Sequence, residues 1–484
     1  MPLELNKVHN IDCLEGLGQV GVNTIDCVIT DPPYGLEFMG KDWDKAVPSV
    51  EVWRECFRVL KRGAFAFVMC SPRQDVLSQM IVRLGQAGFD TGFTSIYWAY
   101  ASGFPKSENI SLAIDKRECL KRLSEKLGRK PTDKEFDEAW KNFREVIEQK
   151  KLNPRDKKPY TPNTYEGLGG SSTFEKNPRM NFITSPTVVD AKRLDGSFAG
   201  FQPKPAVEVI IVAMKPLSEK TFVDQALKNQ KGITWLDECK IPYDVLPENM
   251  IRNNANTETV LEKGFEGMPK TIELDMRGRF PANLLVSDDI LNDGKITKSK
   301  GHFNSKVDME GHTLYEGGFK NFIQEDRTLN DAGSFSRYFD LDAWWIKKVE
   351  ELPEEVKKVY PFLIVPKASR SEREKGLENL EAKPFGRSGG SQSALKKGET
   401  EYLQKHIGLN RIVKIKNIHP TVKALKLMSY LVTLGSREGD VVLDPFVGSG
   451  TTALACKILS RNFLCFEIDE EYCRIAEARL NAVF

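Results

Sequence analysis

Between Asp440 and Leu480 the sequence reads as strand, glycine turn, helix, strand and helix in unbroken succession. The apolar run of "DVVLDPF" is a strand, "VGSGTT" is a turn opening a helix, "NFLCFEID" is a second strand, and "EEYCRIAEARL" closes the unit as a helix. That succession is one half of a nucleotide-binding α/β sheet, so the other half has to come from elsewhere in the chain. The first hundred residues provide it, with strands expected near 25–30, 64–70 and 93–100 and helices near 49–60 and 75–84 between them. A doubly wound α/β fold assembled from both ends of the chain is therefore expected, with the cofactor half last.

Between the halves the pattern loosens. A charged stretch from 115 to 151 carries Trp140, Phe143 and Ile147 at helical spacing and reads as an inserted helical segment. Residues 152–200, including "YEGLGGSST", have the composition of loops. "PAVEVIIVAMKP" at 205–216 is a buried strand, most simply returning to the same sheet, whereas 217–415 is polar, glycine-interrupted and irregular, with runs such as "EGHTLYEGGF". These boundaries divide the chain into 1–102 and 416–484 as the two halves of one domain, a 103–204 insert, the returning strand at 205–216, and a separate region at 217–415.

Composition narrows the function less than the pattern does. A chain of 484 residues accommodates about two or three domains of ordinary size. Lys and Arg number 70 against 68 Asp and Glu, so any surface for a polyanion has to be local. The nine cysteines form no CxxC pair and the five histidines show no ligand spacing, which argues for a reducing cytosol and against a metal site. No apolar stretch approaches the roughly 18 residues of a membrane span, and "MPLELNKVHN" lacks a signal-peptide core, so a cytoplasmic protein without membrane association is expected.

Two short stretches carry chemistry. In Asp444-Pro445-Phe446-Val447-Gly448-Ser449-Gly450-Thr451 the glycines let backbone approach a ligand at a helix start. Glu467 ends the next strand, where such folds place the carboxylate that accepts from ribose hydroxyls, and the pair points to an adenosine-type cofactor. The second stretch is "TDPPYG" at the end of the strand near 25–30. An exocyclic base amine is a poor nucleophile because its lone pair is delocalised, and methylating it needs acceptors that hold its N–H groups. Asp31 supplies one and the Pro32 carbonyl a second, Pro32 and Pro33 remove two donors from the turn, and Tyr34 offers a face for an extruded base. A proline turn with a packed tyrosine fits many loops, but accounts less well for this group at the carboxyl end of a buried strand.

DPPY followed much later by DPFxGSGTT resembles the β class of amino-methylating DNA methyltransferases, with a Rossmann-like fold in permuted order. "HNIDCLEGL", "YASGFPKSENI", "GRFPANLLV", "PKASRSERE" and "HPTVK" extend the resemblance to phage and prophage adenine-specific methylases over most of the chain. It implies S-adenosylmethionine as cofactor, with Asp444, Phe446, Gly448, Gly450 and Thr451 around its methionine part, Glu467 on the ribose and Asp12 at the adenine. His419, Thr421 and Lys423 would hold its amino-acid end, although Ala424 replaces the usual proline after that lysine. Double-stranded DNA is the implied substrate, with a restriction endonuclease as a possible partner and 217–415 as the recognition region. Lys367, Arg370 and Arg373 suit phosphate contacts, and Trp98 is a weaker candidate for the base pocket. Asp at the head of the tetrapeptide favours adenine N6, with cytosine N4 the first alternative. Methylation of RNA or of a protein amide, and a non-catalytic DNA-binding regulator, are the others.

Overall fold

In the computed structural model the described residues are 3–35, 46–100, 108–144, 146–149, 182–201, 207–242, 278–287, 291–292, 295–298, 332–354, 356, 370–388, 391–394, 412–419 and 421–483. Eight strands among them form one sheet: β1 (Lys7–Asn10), β2 (Cys27–Thr30), β3 (Phe65–Cys70), β4 (Ile96–Ala99), β5 (Val207–Met214), β6 (Leu284–Val286), β7 (Val441–Asp444) and β8 (Asn462–Glu467). Their order across the sheet is β1-β8-β7-β2-β3-β5-β4-β6. β5 pairs antiparallel with both β3 and β4, while the other pairings are parallel. β2 and β3, buried along their whole length, read as the continuous apolar runs that a sheet covered on both faces requires.

Side-chain alternation assigns each face its own core. Val28, Val68, Ile211 and Leu464 point to one side, where they meet α1 (Cys13–Gly18), α2 (Val50–Val59) and α3 (Gln74–Ala87) through Leu17, Trp53 and Met80. Ile29, Phe67, Ile210 and Cys465 point to the other. That face is covered by α4 (Leu341–Glu351), α5 (Leu425–Gly435), α6 (Thr451–Ile458) and α7 (Glu470–Asn481). Every residue of α5 is buried, as expected of a helix that is apolar nearly all round, and its one lysine, Lys426, is paired with Asp342 of α4. The doubly wound expectation holds, and β5 lies within the sheet between β3 and β4.

The middle of the chain is divided differently from the expectation. β6, from "GRFPANLLV", extends the main sheet beside β4, and α4 buries Trp344 and Trp345 in the core. Trp344 lies edge-on to Tyr430 of α5 with ring centroids 5.0 Å apart. These pieces of 217–415 therefore belong to the α/β core. The insert holds helices Ile110–Leu127 and Asp133–Lys141, the second opened by a capping box between Thr132 and Glu135. That helix stops at Lys141, so Ile147 is not on it but in the strand Val146–Gln149. "YEGLGGSST" and "EGHTLYEGGF" lie outside the described residues.

At the amino ends of β2 and β7 a buried ion cluster ties three remote segments together. Asp26 receives Lys61 Nζ at 2.6 Å and Lys231 Nζ at 2.8 Å, and it accepts the Val441 backbone N–H at 3.0 Å. Lys231 also pairs with Asp440 at 3.0 Å. Burial pushes the Asp26 carboxyl up, but the hydrogen bonds from Lys231 and Lys61 outweigh it and hold the group below its ordinary range. A depressed carboxylate stabilises the fold above its unfolded pKa, and the contribution is lost as pH falls through the folded one. Lys231→Met is expected to cost about 2 kcal/mol in urea unfolding at neutral pH, because it takes from buried Asp26 one of its two ammonium partners and leaves only Lys61. That loss should shrink as the pH is lowered into the carboxylate range, and a variant as stable as the parent at pH 7 would refute the role of the cluster.

Candidate active site

The two chemistry-bearing stretches meet at the centre of the sheet, where β2 and β7 lie side by side. Thr30 Oγ1, on the last residue of β2, donates to Asp444 Oδ1 at 2.6 Å. Asp444 also accepts from Thr452 Oγ1 at 2.6 Å and from the Phe446 N–H at 3.0 Å. Both of its oxygens thus organise the turn from within, and Asp444 is buried. Burial raises its carboxyl to about 6, with the two threonine hydroxyls opposing.

The turn itself is shaped for close backbone approach. Gly448 and Gly450 have φ of +54° and +83°, the left-handed region that glycine adopts without strain. A Cβ on Gly450 would stand 2.7 Å from the Ala476 Cβ, and one on Gly448 would stand 2.6 Å from His419 Nε2. Glu467, ending β8, fixes the turn by accepting the Gly448 N–H at 2.9 Å and the Asp469 N–H at 2.8 Å. Burial raises the Glu467 carboxyl to about 7 against those two bonds. From the helix behind, Arg479 is fully buried and donates to the Ser449 carbonyl at 2.6 Å and to Thr451 Oγ1 at 3.1 Å. Pro445 is buried and Phe446 half-buried at the mouth of the turn. Asp12, one strand further out, caps α1 by accepting the Leu14 N–H at 2.9 Å. The carboxylate at a strand end and the glycine cradle fit a ligand with ribose hydroxyls and an extended polar tail.

On the other side of β2, Asp31 continues the face of Cys27 and Ile29. Its Oδ1 accepts the Tyr34 hydroxyl, and its Oδ2 receives Lys423 Nζ at 2.8 Å. Lys423 Nζ also lies 3.2 Å from Glu208 Oε2, on β5. The three side chains are only 18%, 10% and 17% exposed, for Asp31, Lys423 and Glu208 in turn. Burial raises the Asp31 carboxyl, and Glu208 adds to that, while Lys423 opposes it. The same two carboxylates hold the Lys423 ammonium above its usual range despite burial. Trp98 on β4 and Tyr100 just after it flank the group; Trp98 is register partner to Glu208 and its indole N–H donates to Ser287 Oγ at 3.0 Å. Trp98 and Tyr100 are both buried, with ring centroids 5.1 Å apart.

The expected residues thus fall into two neighbouring groups, with two differences. Lys423 stands against Asp31 and not at the glycine turn, since the segment before α5 runs over the carboxyl end of β2 and the amino end of the antiparallel β5. His419 does reach the turn, packing on Gly448 and lying 4.5 Å from the Tyr472 ring, and the Thr421 N–H donates to His419 Nδ1 at 3.4 Å. Arg373 donates to the His419 carbonyl at 2.7 Å, which gives it a place in holding this segment. Arg370 begins the short helix Arg370–Glu374, and Lys367 lies outside the described residues. Glu208 escaped sequence reading, although a carboxylate at an inward position of "VEVIIVAM" was a usable signal.

Residues 292–478 match the family model described as DNA methylase. The chain is 42% identical over 72 residues to the Type II methyltransferase M2.DpnII of Streptococcus pneumoniae, covering 15% of this chain and 27% of that protein. It is 44% identical over 71 residues to the Type II methyltransferase M.HpaI of Haemophilus parainfluenzae, covering 15% and 23%. The matched stretches thus span about a quarter of those curated relatives. Among solved structures, it aligns with the PvuII DNA methyltransferase (cytosine-N4-specific) at a TM-score of 0.36 and 11% identity, covering 98% of this chain and 87% of that one. With the M1.HpyAVI–SAM complex the TM-score is 0.31 and the identity 12%, covering 98% of each chain.

Proposed function

We propose that this chain is a DNA methyltransferase that moves a methyl group from S-adenosylmethionine to the exocyclic N6 amine of adenine in double-stranded DNA. The observation that carries the reading is the Thr30–Asp444 hydrogen bond of 2.6 Å, which locks the Asp31 turn beside the glycine cradle at the centre of one sheet. Acceptor and cofactor turn then face the same crevice, outside the carboxyl ends of β2 and β7. The local similarity to Type II methyltransferases supports the same class.

S-adenosylmethionine supplies an electrophilic methyl group. Glu467 would accept from its ribose hydroxyls, Phe446 and the backbone at Gly448 and Gly450 would lie along its methionine tail, and Asp12 would border the adenine. For the substrate, Asp31 and the Pro32 carbonyl accept the two amine N–H groups and turn the nitrogen lone pair outward, and Tyr34 borders the extruded base. Asp31 orients and polarises; the amine loses its proton after transfer, so no strong base is required.

The test is transfer from labelled S-adenosylmethionine to unmethylated genomic DNA, followed by digestion to nucleosides and separation by mass. Label in N6-methyladenine is expected. N4-methylcytosine would replace the base and keep the mechanism, whereas no label in DNA would overturn the reading.

A further inference from the structure

An incoming amine meets an Asp31 whose two oxygens are both already engaged. One of its oxygens takes the Tyr34 hydroxyl and the other takes the Lys423 ammonium at 2.8 Å. An ammonium lodged there also opposes the positive charge that grows on the amine nitrogen during methyl transfer. Lys423 therefore has to leave Asp31, and a buried cation cannot leave without a second partner.

Glu208 is that partner. Its Oε2 is 3.2 Å from the same Nζ, and its strand β5 lies between β3 and β4, with Trp98 directly opposite Glu208. Two carboxylates share one ammonium, so the group keeps one net negative charge whichever carboxylate holds the lysine. We propose that Glu208 is a positioning residue for the reaction: when the target base enters, Lys423 passes from Asp31 to Glu208, which frees Asp31 to accept the amine. The inference rests on the methyltransferase reading and adds to it a gate on the acceptor.

The test combines methyl transfer with base extrusion, the latter read without cofactor by the fluorescence of 2-aminopurine placed at the methylated position of a duplex. Glu208→Gln leaves Lys423 a single charged partner, and both the single-turnover rate and the extruded fraction should fall by about tenfold or more, the scale of a hydrogen bond to a charged group. S-adenosylmethionine affinity should be unchanged. Adding Lys423→Met to Glu208→Gln should then raise both readouts above the single variant, because the competitor for Asp31 is gone. Lys423→Arg gives a second arm should Glu208→Gln not fold. Its fork can span both carboxylates at once, and it should depress extrusion with cofactor binding intact. A double variant no better than Glu208→Gln, or a Lys423→Arg variant that extrudes the base like the parent, overturns the gate. A parent protein that labels no DNA overturns the methyltransferase reading itself.

Discussion

Replacing Asp31 by alanine is expected to slow methyl transfer by roughly a hundredfold to a thousandfold, the range seen when one fixed charge-stabilising contact is taken from a buried site. The fold should tolerate the change. Lys423 keeps Glu208 at 3.2 Å, so no buried cation is orphaned, and the Thr30–Asp444 bond that joins the two turns does not involve Asp31. Binding of S-adenosylmethionine, measured by calorimetry, should stay close to that of the parent, since the glycine turn is held by Glu467, Asp444 and Arg479. Transfer within a few-fold of the parent rate would remove Asp31 from the chemistry, however well placed it is.

The opposite split is expected for Gly450→Val. At φ of +83° a branched side chain is strained, and the new Cβ would lie 2.7 Å from the Ala476 Cβ and 3.0 Å from its Cα. Helix α7 or the turn must shift, and the turn is the surface on which the cofactor would lie. Strain of about 1–3 kcal/mol, with the collision added, should weaken S-adenosylmethionine binding by on the order of a hundredfold. Gly439 provides the control, because its φ is +82° but nothing lies within 4 Å of a Cβ built there. Gly439→Ala should lose about 1–2 kcal/mol of stability to its left-handed φ and bind the cofactor normally. If Gly450→Val binds it as the parent does, the turn is not the cofactor cradle.

How far these sites could be read from sequence depended on the physics of each segment. The C-terminal half was legible because its strand, glycine turn and helix are contiguous and each has its own period. "TDPPYG" was legible because a carboxylate and two prolines at the end of an apolar strand have few structural excuses. β6 was not: a strand of three residues, Leu284–Val286, is too short to show alternation, and α4 hides in a stretch whose surroundings are polar. Lys423 was found, yet assigned to the wrong neighbour, since nothing in "HPTVK" says which strand end the lysine crosses. Glu208 became meaningful only once β5 was known to run beside β3, which brings a residue far along the chain against Asp31. Arg479 had a similar history: it reads as one charge on a closing helix, but it is the prop beneath Ser449 and Thr451.

The pairing of β2 with β7 also governs how the chain can come to be folded. Cys27 pairs with Val442 and Lys7 with Leu464, so β1 and β2 find those neighbours only after several hundred further residues have been made. Until then β2 and β3 carry apolar residues on both faces and β2 presents an open edge, the kind of exposure that invites aggregation or calls for a chaperone. Contacts this distant in sequence also close slowly in free solution. A nascent chain halted before β7 would display the Asp31 turn on a bare sheet edge with no glycine turn beside it, so the two halves of the candidate site are brought together in a single step, when β7 docks on β2.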